Sequence, residues 1–323
     1  MSYSQEVYSK ATEILERRRE RANLEAQDRL EEISEKIPEL EEIQRKLSRI
    51  GLNISKVFLY SNDKQADIEN LMEESLALQE EKKELLKKNG YDENALEIKY
   101  TCPVCKDTGF VKSRRCKCHN EILKDIEREN LEKIVPLSEC TFDSFDVNYY
   151  PDEVMENSVS PRNKAEKIKR SCSQYAANFS RESVNILFMG GTGLGKTHLS
   201  LAIANVVINK GKSVVYGTAQ NILNDLQNEN FGRTDNIRYY ERAVLNCDLL
   251  IIDDLGTEFK NNYTVACLFN IINSRISAKL PTIISTNFTY DELKEKYDQR
   301  ITSRIAGEYK TLVLVGNDIR YIK

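Results

Sequence analysis

An α/β domain built on a parallel sheet flanked by helices, preceded by a mostly helical N-terminal region, is the fold class this sequence predicts. Three stretches predict it. Residues 184–200, VNILFMGGTGLGKTHLS, pass from an apolar run through a glycine-rich turn into a helix-forming segment. Residues 248–258, DLLIIDDLGTE, form a second apolar run that ends in two aspartates, and residues 281–287, PTIISTN, a third that ends in an amide. Short apolar runs separated by helical lengths of chain are the mark of βαβ units, whose strands lie buried and parallel.

The first stretch fits G-x-x-x-x-G-K-[ST], with the strand before and the helix after that this motif requires. The candidate phosphate-binding residues are Gly190, Gly191, Thr192, Gly193, Leu194, Gly195, Lys196 and Thr197, with His198 adjoining them. Glycines let backbone N–H groups turn inward around an anion, and the helix N-terminus adds a positive dipole end. Lys196 is expected to reach the β- and γ-phosphates of ATP, and the Thr197 hydroxyl to hold Mg²⁺. In the second stretch the aspartates fall at the C-terminal end of a strand, where open α/β sheets bind ligands. Asp253 is expected to hold Mg²⁺, directly or through water, and Asp254 to polarise an attacking water. Asp254 is shorter than the Glu common at this position, which permits the role but slows hydrolysis. Asn287, at the tip of the third run, can orient water without adding charge. Arg300 and Arg304 are four apart and share a helix face; Arg300 has no acidic residue at i±4. Arg320 lies close to the last residue given.

Four of the eight cysteines cluster as C-x2-C, ten residues, then C-x-C, followed at once by His119. Cys102, Cys105, Cys116 and Cys118 suit a closed, structural tetrahedral Zn²⁺ site. The C-x-C half leaves Cys118 and His119 as alternatives for the fourth ligand. Cys140, Cys172, Cys247 and Cys267 are scattered and read as reduced thiols.

Ahead of this lie three helical stretches: residues 4–37, punctuated by Pro38; a second that Gly51 stops near Ile50; and a third from about Asp63 to Lys88, closed by Asn89-Gly90. Leu71, Leu78 and Leu85 recur every seven residues, giving a narrow apolar seam suited to a helical hairpin or short coiled coil. A partner-binding surface and a merely solvated helix both fit these charged faces. Residues 120–180 change character, reading as an ordered linker followed by a helix from Arg162 to Phe179 that leads into the first apolar run. The linker's aromatics Phe142, Phe145, Tyr149 and Tyr150 are open to two roles, packing on a nucleotide base or plain core packing. Residues 227–242, with Phe231, Arg233, Arg238, Tyr239, Tyr240 and Arg242, mix cations and aromatics. They suit single-stranded nucleic acid and equally an ordinary charged helix.

The net charge of −4 is uneven, with acidic residues in excess over residues 1–100 and near balance beyond. A globally basic nucleic-acid binder is not indicated, although local basic patches remain. No run of apolar residues is long enough to span a membrane, and the N-terminus carries no apolar core of a secretory signal, so a cytoplasmic protein without membrane partners is expected. The domains expected are a helical partner-binding region at 1–99, a zinc-binding module at 100–125, a linker at 126–165 and an ATPase domain at 166–323.

Glycine loop, acidic strand end, polar strand tip, arginine helix and late arginine, in this order, resemble the AAA+ ATPases. GGTGLGKTHLS, YGTAQNIL, LLIIDDLGTE, IISTN and GNDIR, with CPVCKDTGF and CKCH before them, are similar to the bacterial replicative helicase loaders of the DnaC/DnaI type. The resemblance covers residues 100–323 well and residues 1–99 only in their helical, charged character. It implies an AAA+ P-loop core with Walker A at Gly190–Thr197, Walker B at Asp253 and Asp254, and sensor 1 at Asn287. It also implies a trans-acting arginine finger at Arg304, with Arg300 as runner-up, and sensor 2 at Arg320. The catalytic set is then Lys196, Asp254, Asn287 and Arg304. It further implies slow ATP hydrolysis stimulated by assembly or single-stranded DNA, self-association through the trans finger, and loading of the replicative DNA helicase onto single-stranded DNA, gripped by the N-terminal module. A transposition helper ATPase is the alternative, since its core is close to that of the loaders.

Overall fold

The computed structural model describes residues 3–60, 64–153, 159–231 and 239–322. Contacts divide the chain into two compact units, Glu13–Cys116 and a second made of Met1–Thr12 with Lys117–Lys323. No helix among the described residues is long and apolar enough to cross a membrane.

Three helices dominate the first unit: α1 (Gln5–Lys36, whose first turns belong to the other unit), α2 (Glu39–Tyr60) and α3 (Lys64–Lys88). The expected seam is real. Ile43, Ile50 and Leu78 are buried together, with Leu47, Ile54, Leu71 and Leu85 packed against them. A second cluster joins Ile33, Ile37, Leu40 and Leu86 where α1 and α2 meet at the Pro38 break. The expected stop at Gly51 does not occur, because α2 continues through it to Tyr60. Glycine inside a helix costs about 1 kcal/mol relative to alanine. Here Ile50 and Ile54 bury their side chains on the α3 side, and burial of even one such chain offsets that cost.

The second unit contains α4 (Lys117–Glu132) and a five-stranded parallel sheet, with α5 (Pro161–Ala177) leading into it. The sheet comprises β3 (Asn185–Met189), β4 (Val214–Thr218), β5 (Leu249–Asp253), β6 (Thr282–Thr286) and β7 (Tyr309–Val313), in the spatial order β4-β5-β6-β3-β7. The helices between them are α6 (Lys196–Asn209), α7 (Ala219–Phe231), α8 (Tyr239–Asn246), α9 (Asn262–Ser277), α10 (Tyr290–Lys296) and α11 (Gln299–Glu308). This is the parallel sheet flanked by helices that the sequence predicts. β5 and β6 are buried along their whole length, as parallel strands covered on both faces must be. One face of the sheet packs on α5 and α6, the other on α7 to α11. The described residues of the segment read as a linker do more than connect: Leu131, Leu137, Phe145 and Tyr150 are buried in the core beneath the sheet.

Two carboxylates fix the edge strand. Asp248 accepts the Ser213 backbone N–H at 3.0 Å and pairs with Arg181 at 2.9 Å. Glu127, buried on α4, accepts the Val214 N–H at 2.8 Å. Burial, and secondarily the nearby Asp248, push the Glu127 carboxyl from its ordinary 4.5 up to about 7. Between those two values the folded chain binds more protons than the unfolded one, so this group's contribution to stability is full below pH 4.5 and falls as pH rises to 7. Glu127→Gln keeps an acceptor for Val214 and removes the charge. It is expected to match the parent near pH 4.5 and to exceed it by roughly 3 kcal/mol at pH 8, as read by denaturant titration. An identical pH dependence in both proteins would refute the assignment.

Candidate nucleotide site and cysteine cluster

The glycine loop joins β3 to α6 at the C-terminal edge of the sheet. Two of its glycines are required by close approach. Gly195 adopts φ +77°, and a Cβ there would press on the Phe145 ring at 2.7 Å. Gly193 adopts φ +72°, and a Cβ there would collide with the Asp318 carboxylate. Residues 314–320 therefore brace the loop from one side, with Ile319 N–H donating to Gly193 O at 3.2 Å. Residues 145–150 brace it from another, with the buried Tyr150 hydroxyl donating to Leu194 O at 2.7 Å. Burial raises the Tyr150 pKa and keeps this phenol a donor.

Lys196 is buried. Its Nζ donates to Gly190 O at 2.9 Å, Gly191 O at 2.7 Å and Asn287 Oδ1 at 2.6 Å. Burial lowers its pKa, while Asp254 and Asp253 act in the opposite sense. Beside it the Thr197 hydroxyl donates to Asp253 Oδ2 at 2.8 Å. Asp253 also accepts from the Tyr216 hydroxyl at 2.8 Å on Oδ2, and from the Ser285 hydroxyl on Oδ1. Asp254, at φ +51°, turns the chain out of β5, and its N–H donates to Ser285 Oγ at 3.0 Å. Burial, then the charge of Asp253, raises the Asp254 carboxyl pKa. A hydroxyl and a carboxylate oxygen in contact at a strand end are hard oxygen donors of the kind Mg²⁺ takes. Thr197 and Asp253 therefore fit that ion.

One pocket gathers Thr192–His198, Asp254, Asn287, Arg320 and the aromatics Phe145 and Tyr149. Phe145 packs in the core and also lines the pocket, whereas Phe142 packs on the core. His198 turns toward the preceding segment, with Nε2 at 2.8 Å from Thr141 O and 3.3 Å from Ser144 Oγ. Arg320 is clamped by Asp318 through two contacts of 3.0 and 2.8 Å.

Arg300 and Arg304 do not line this pocket. Arg300 has an acidic partner after all: Asp298, which caps α11, holds its Nη2 at 2.8 Å. A search at i±4 passes over a cap at i−2. Arg304 donates to Asn273 Oδ1 at 2.8 Å and lies over the Phe269 ring at 4.8 Å, on the α9–α11 surface. Of the mixed basic-aromatic stretch, Arg233 and Arg238 and the Phe231 side chain lie outside the described residues. Arg242 and Tyr239 are exposed on α8. Sequence reasoning missed Tyr216, Ser285 and Asp318. Ser285 had a signal, because two-residue alternation puts it on the face of Asn287.

In the cysteine segment, β1 (Phe110–Val111) and β2 (Arg114–Arg115) form a small antiparallel hairpin. Buried Asp107 accepts the N–H groups of Thr101 at 2.8 Å and Cys102 at 2.9 Å, folding the first knuckle. The sulfurs of Cys102, Cys105, Cys116 and Cys118 all lie within 4.8 Å of one another, and Cys118 rather than His119 completes the group. Cys102 and Cys116 are 3.8 Å apart, matching the sulfur separation of about 3.8 Å that tetrahedral Zn–S bonds of about 2.3 Å impose. The four thiols therefore fit a metal of that kind.

Residues 158–306 match the family described as IstB-like ATP binding protein. The chain is 27% identical over 203 residues to the replicative helicase loader DnaC of Escherichia coli (strain K12), covering 62% of this chain and 77% of that protein. It is 31% identical over 143 residues to DnaC of Buchnera aphidicola subsp. Baizongia pistaciae (strain Bp), covering 43% and 57% respectively. Among solved structures, a crystal structure of the DnaC helicase loader aligns at 23% identity and a TM-score of 0.47, covering 56% of this chain and 99% of that one. Residues 158–306 are thus similar to IstB-like ATP-binding proteins, and the chain is similar to the replicative helicase loaders of the DnaC type.

Proposed function

We propose that this protein is an ATP-dependent loader of the replicative DNA helicase onto single-stranded DNA. The observation that carries the reading is the Lys196–Asn287 and Thr197–Asp253 constellation at one sheet edge, in a chain similar to proteins named replicative helicase loaders. In this reading Lys196 and the loop N–H groups bind the ATP phosphates, and Thr197 and Asp253 hold Mg²⁺, which would neutralise phosphate charge. Asp254 polarises the attacking water. Asn287 orients that water, and Arg320 leaves Asp318 for the γ-phosphate. Arg304, which does not line its own chain's pocket, acts as the finger on a neighbouring subunit's ATP. Hydrolysis is slow, and assembly or single-stranded DNA stimulates it. The helices of residues 1–99 and the zinc-bearing cysteine module grip the helicase.

The IstB-like match by itself also favours a transposition helper. That reading gives no role to the cysteine module and the α2–α3 hairpin, and it predicts no affinity for a helicase.

Lys196→Ala is expected to lose at least tenfold in ATP affinity, about 1.4 kcal/mol, with unfolding temperature unchanged; wild-type affinity in equilibrium binding would remove the phosphate-loop assignment. Arg304→Ala should keep nucleotide affinity and lose about a hundredfold in stimulated turnover, within the range known for fingers. Undiminished turnover, measured by phosphate release, would sink the trans role. Elemental analysis should find one zinc per chain, abolished by Cys102→Ser. A native protein without metal would leave four thiols and no zinc clip.

A further inference from the structure

Asp253 is buried and held by hydroxyls from three separate elements: Thr197 on α6, Tyr216 on β4 and Ser285 on β6. An ionised carboxylate offers about four acceptor sites on its two oxygens. Here Oδ2 takes Thr197 and Tyr216 at 2.8 Å each, and Oδ1 takes Ser285. Tyr216 lies beside Ile251 in the ladder, so its phenol crosses from the edge strand to the carboxylate at the tip of β5. It does not line the nucleotide pocket. It stands behind the carboxylate, 8% exposed.

A hydroxyl that lends a lone pair to a cation must send its proton elsewhere, and for Thr197 that acceptor is Asp253 Oδ2. If the carboxylate turned about its Cβ–Cγ bond, the Thr197 proton would lose its acceptor and the hydroxyl would lose its orientation. Tyr216 fixes Oδ2 and Ser285 fixes Oδ1, so the carboxylate plane cannot turn.

We propose that Tyr216 is a positioning residue for the Mg²⁺ of the nucleotide site, acting through Asp253, with Ser285 as its counterpart on the other oxygen. This rests on the nucleotide reading above. Partners of this kind set the orientation of a ligand, and their loss typically lowers metal affinity ten- to a hundredfold.

The test uses the full chain, a fluorescent ADP analogue, and titrations with Mg²⁺ and in EDTA. Tyr216→Phe removes one oxygen and keeps the ring. It is expected to bind the analogue in EDTA as the parent does, and to need about ten times more Mg²⁺ for half-maximal enhancement of binding. Ser285→Ala should shift the Mg²⁺ midpoint in the same direction. Equal or lower midpoints in both variants would overturn the proposal. So would a loss of affinity equal in EDTA and in Mg²⁺, which marks a merely structural role. If the parent itself bound no nucleotide, the nucleotide reading would fall instead, a distinguishable result.

Discussion

One buried carboxylate, Asp253, ties the working edge of this protein together. It closes β5, and the hydroxyls of Thr197, Tyr216 and Ser285 draw α6, β4 and β6 onto it. A carboxylate taken out of water is costly unless its oxygens are satisfied, and here three hydroxyls satisfy it without a lysine or arginine among those contacts. The neighbouring loop depends on the same edge. Lys196 can lie beneath the glycine turn because Asn287, at the tip of β6, and two loop carbonyls receive its protons. Residues 145–150 and 314–320 then hold the loop from outside, through Tyr150 on Leu194 and Ile319 on Gly193.

Much of this was legible in the sequence, for a physical reason. A parallel sheet delivers its chemistry at the C-terminal ends of its strands, so apolar runs ending in Gly, Asp or Asn advertise both strand and site. Lys196, Thr197, Asp253, Asp254 and Asn287 were readable this way, and the structure gathers them at one edge. The cysteine cluster was readable because its spacing is local. Spacing alone left Cys118 and His119 open, and backbone geometry brings the Cys118 sulfur to the other three.

What escaped depended on distance in sequence. Tyr216 reaches Asp253 across 37 residues, and nothing in YGTAQ marks that phenol as bonded to the tip of the next strand, β5. Asp318 is a surface acid in sequence, and only the folded chain lays it against Gly193 and under Arg320. Gly51 misled because helix propensity is worth about 1 kcal/mol, less than the burial of Ile50 and Ile54 on either side of it. The linker reading of 126–165 gave too little weight to its aromatics. Phe145 is a core residue that also lines the pocket, and Tyr150 is a core residue that braces the loop through Leu194 O.

On the proposed reading the two units divide the labour, with nucleotide chemistry in the sheet domain and partner recognition in the helices and cysteine module. The most direct measurement of that claim is co-purification of the full chain with the replicative DNA helicase of the same cell, with ATP and Mg²⁺ and with ADP, followed by transfer of the helicase to single-stranded DNA. The loader reading predicts a stable complex and ATP-dependent transfer. No complex under either nucleotide, with DNA-stimulated ATP hydrolysis intact, would contradict it and leave the transposition helper in its place.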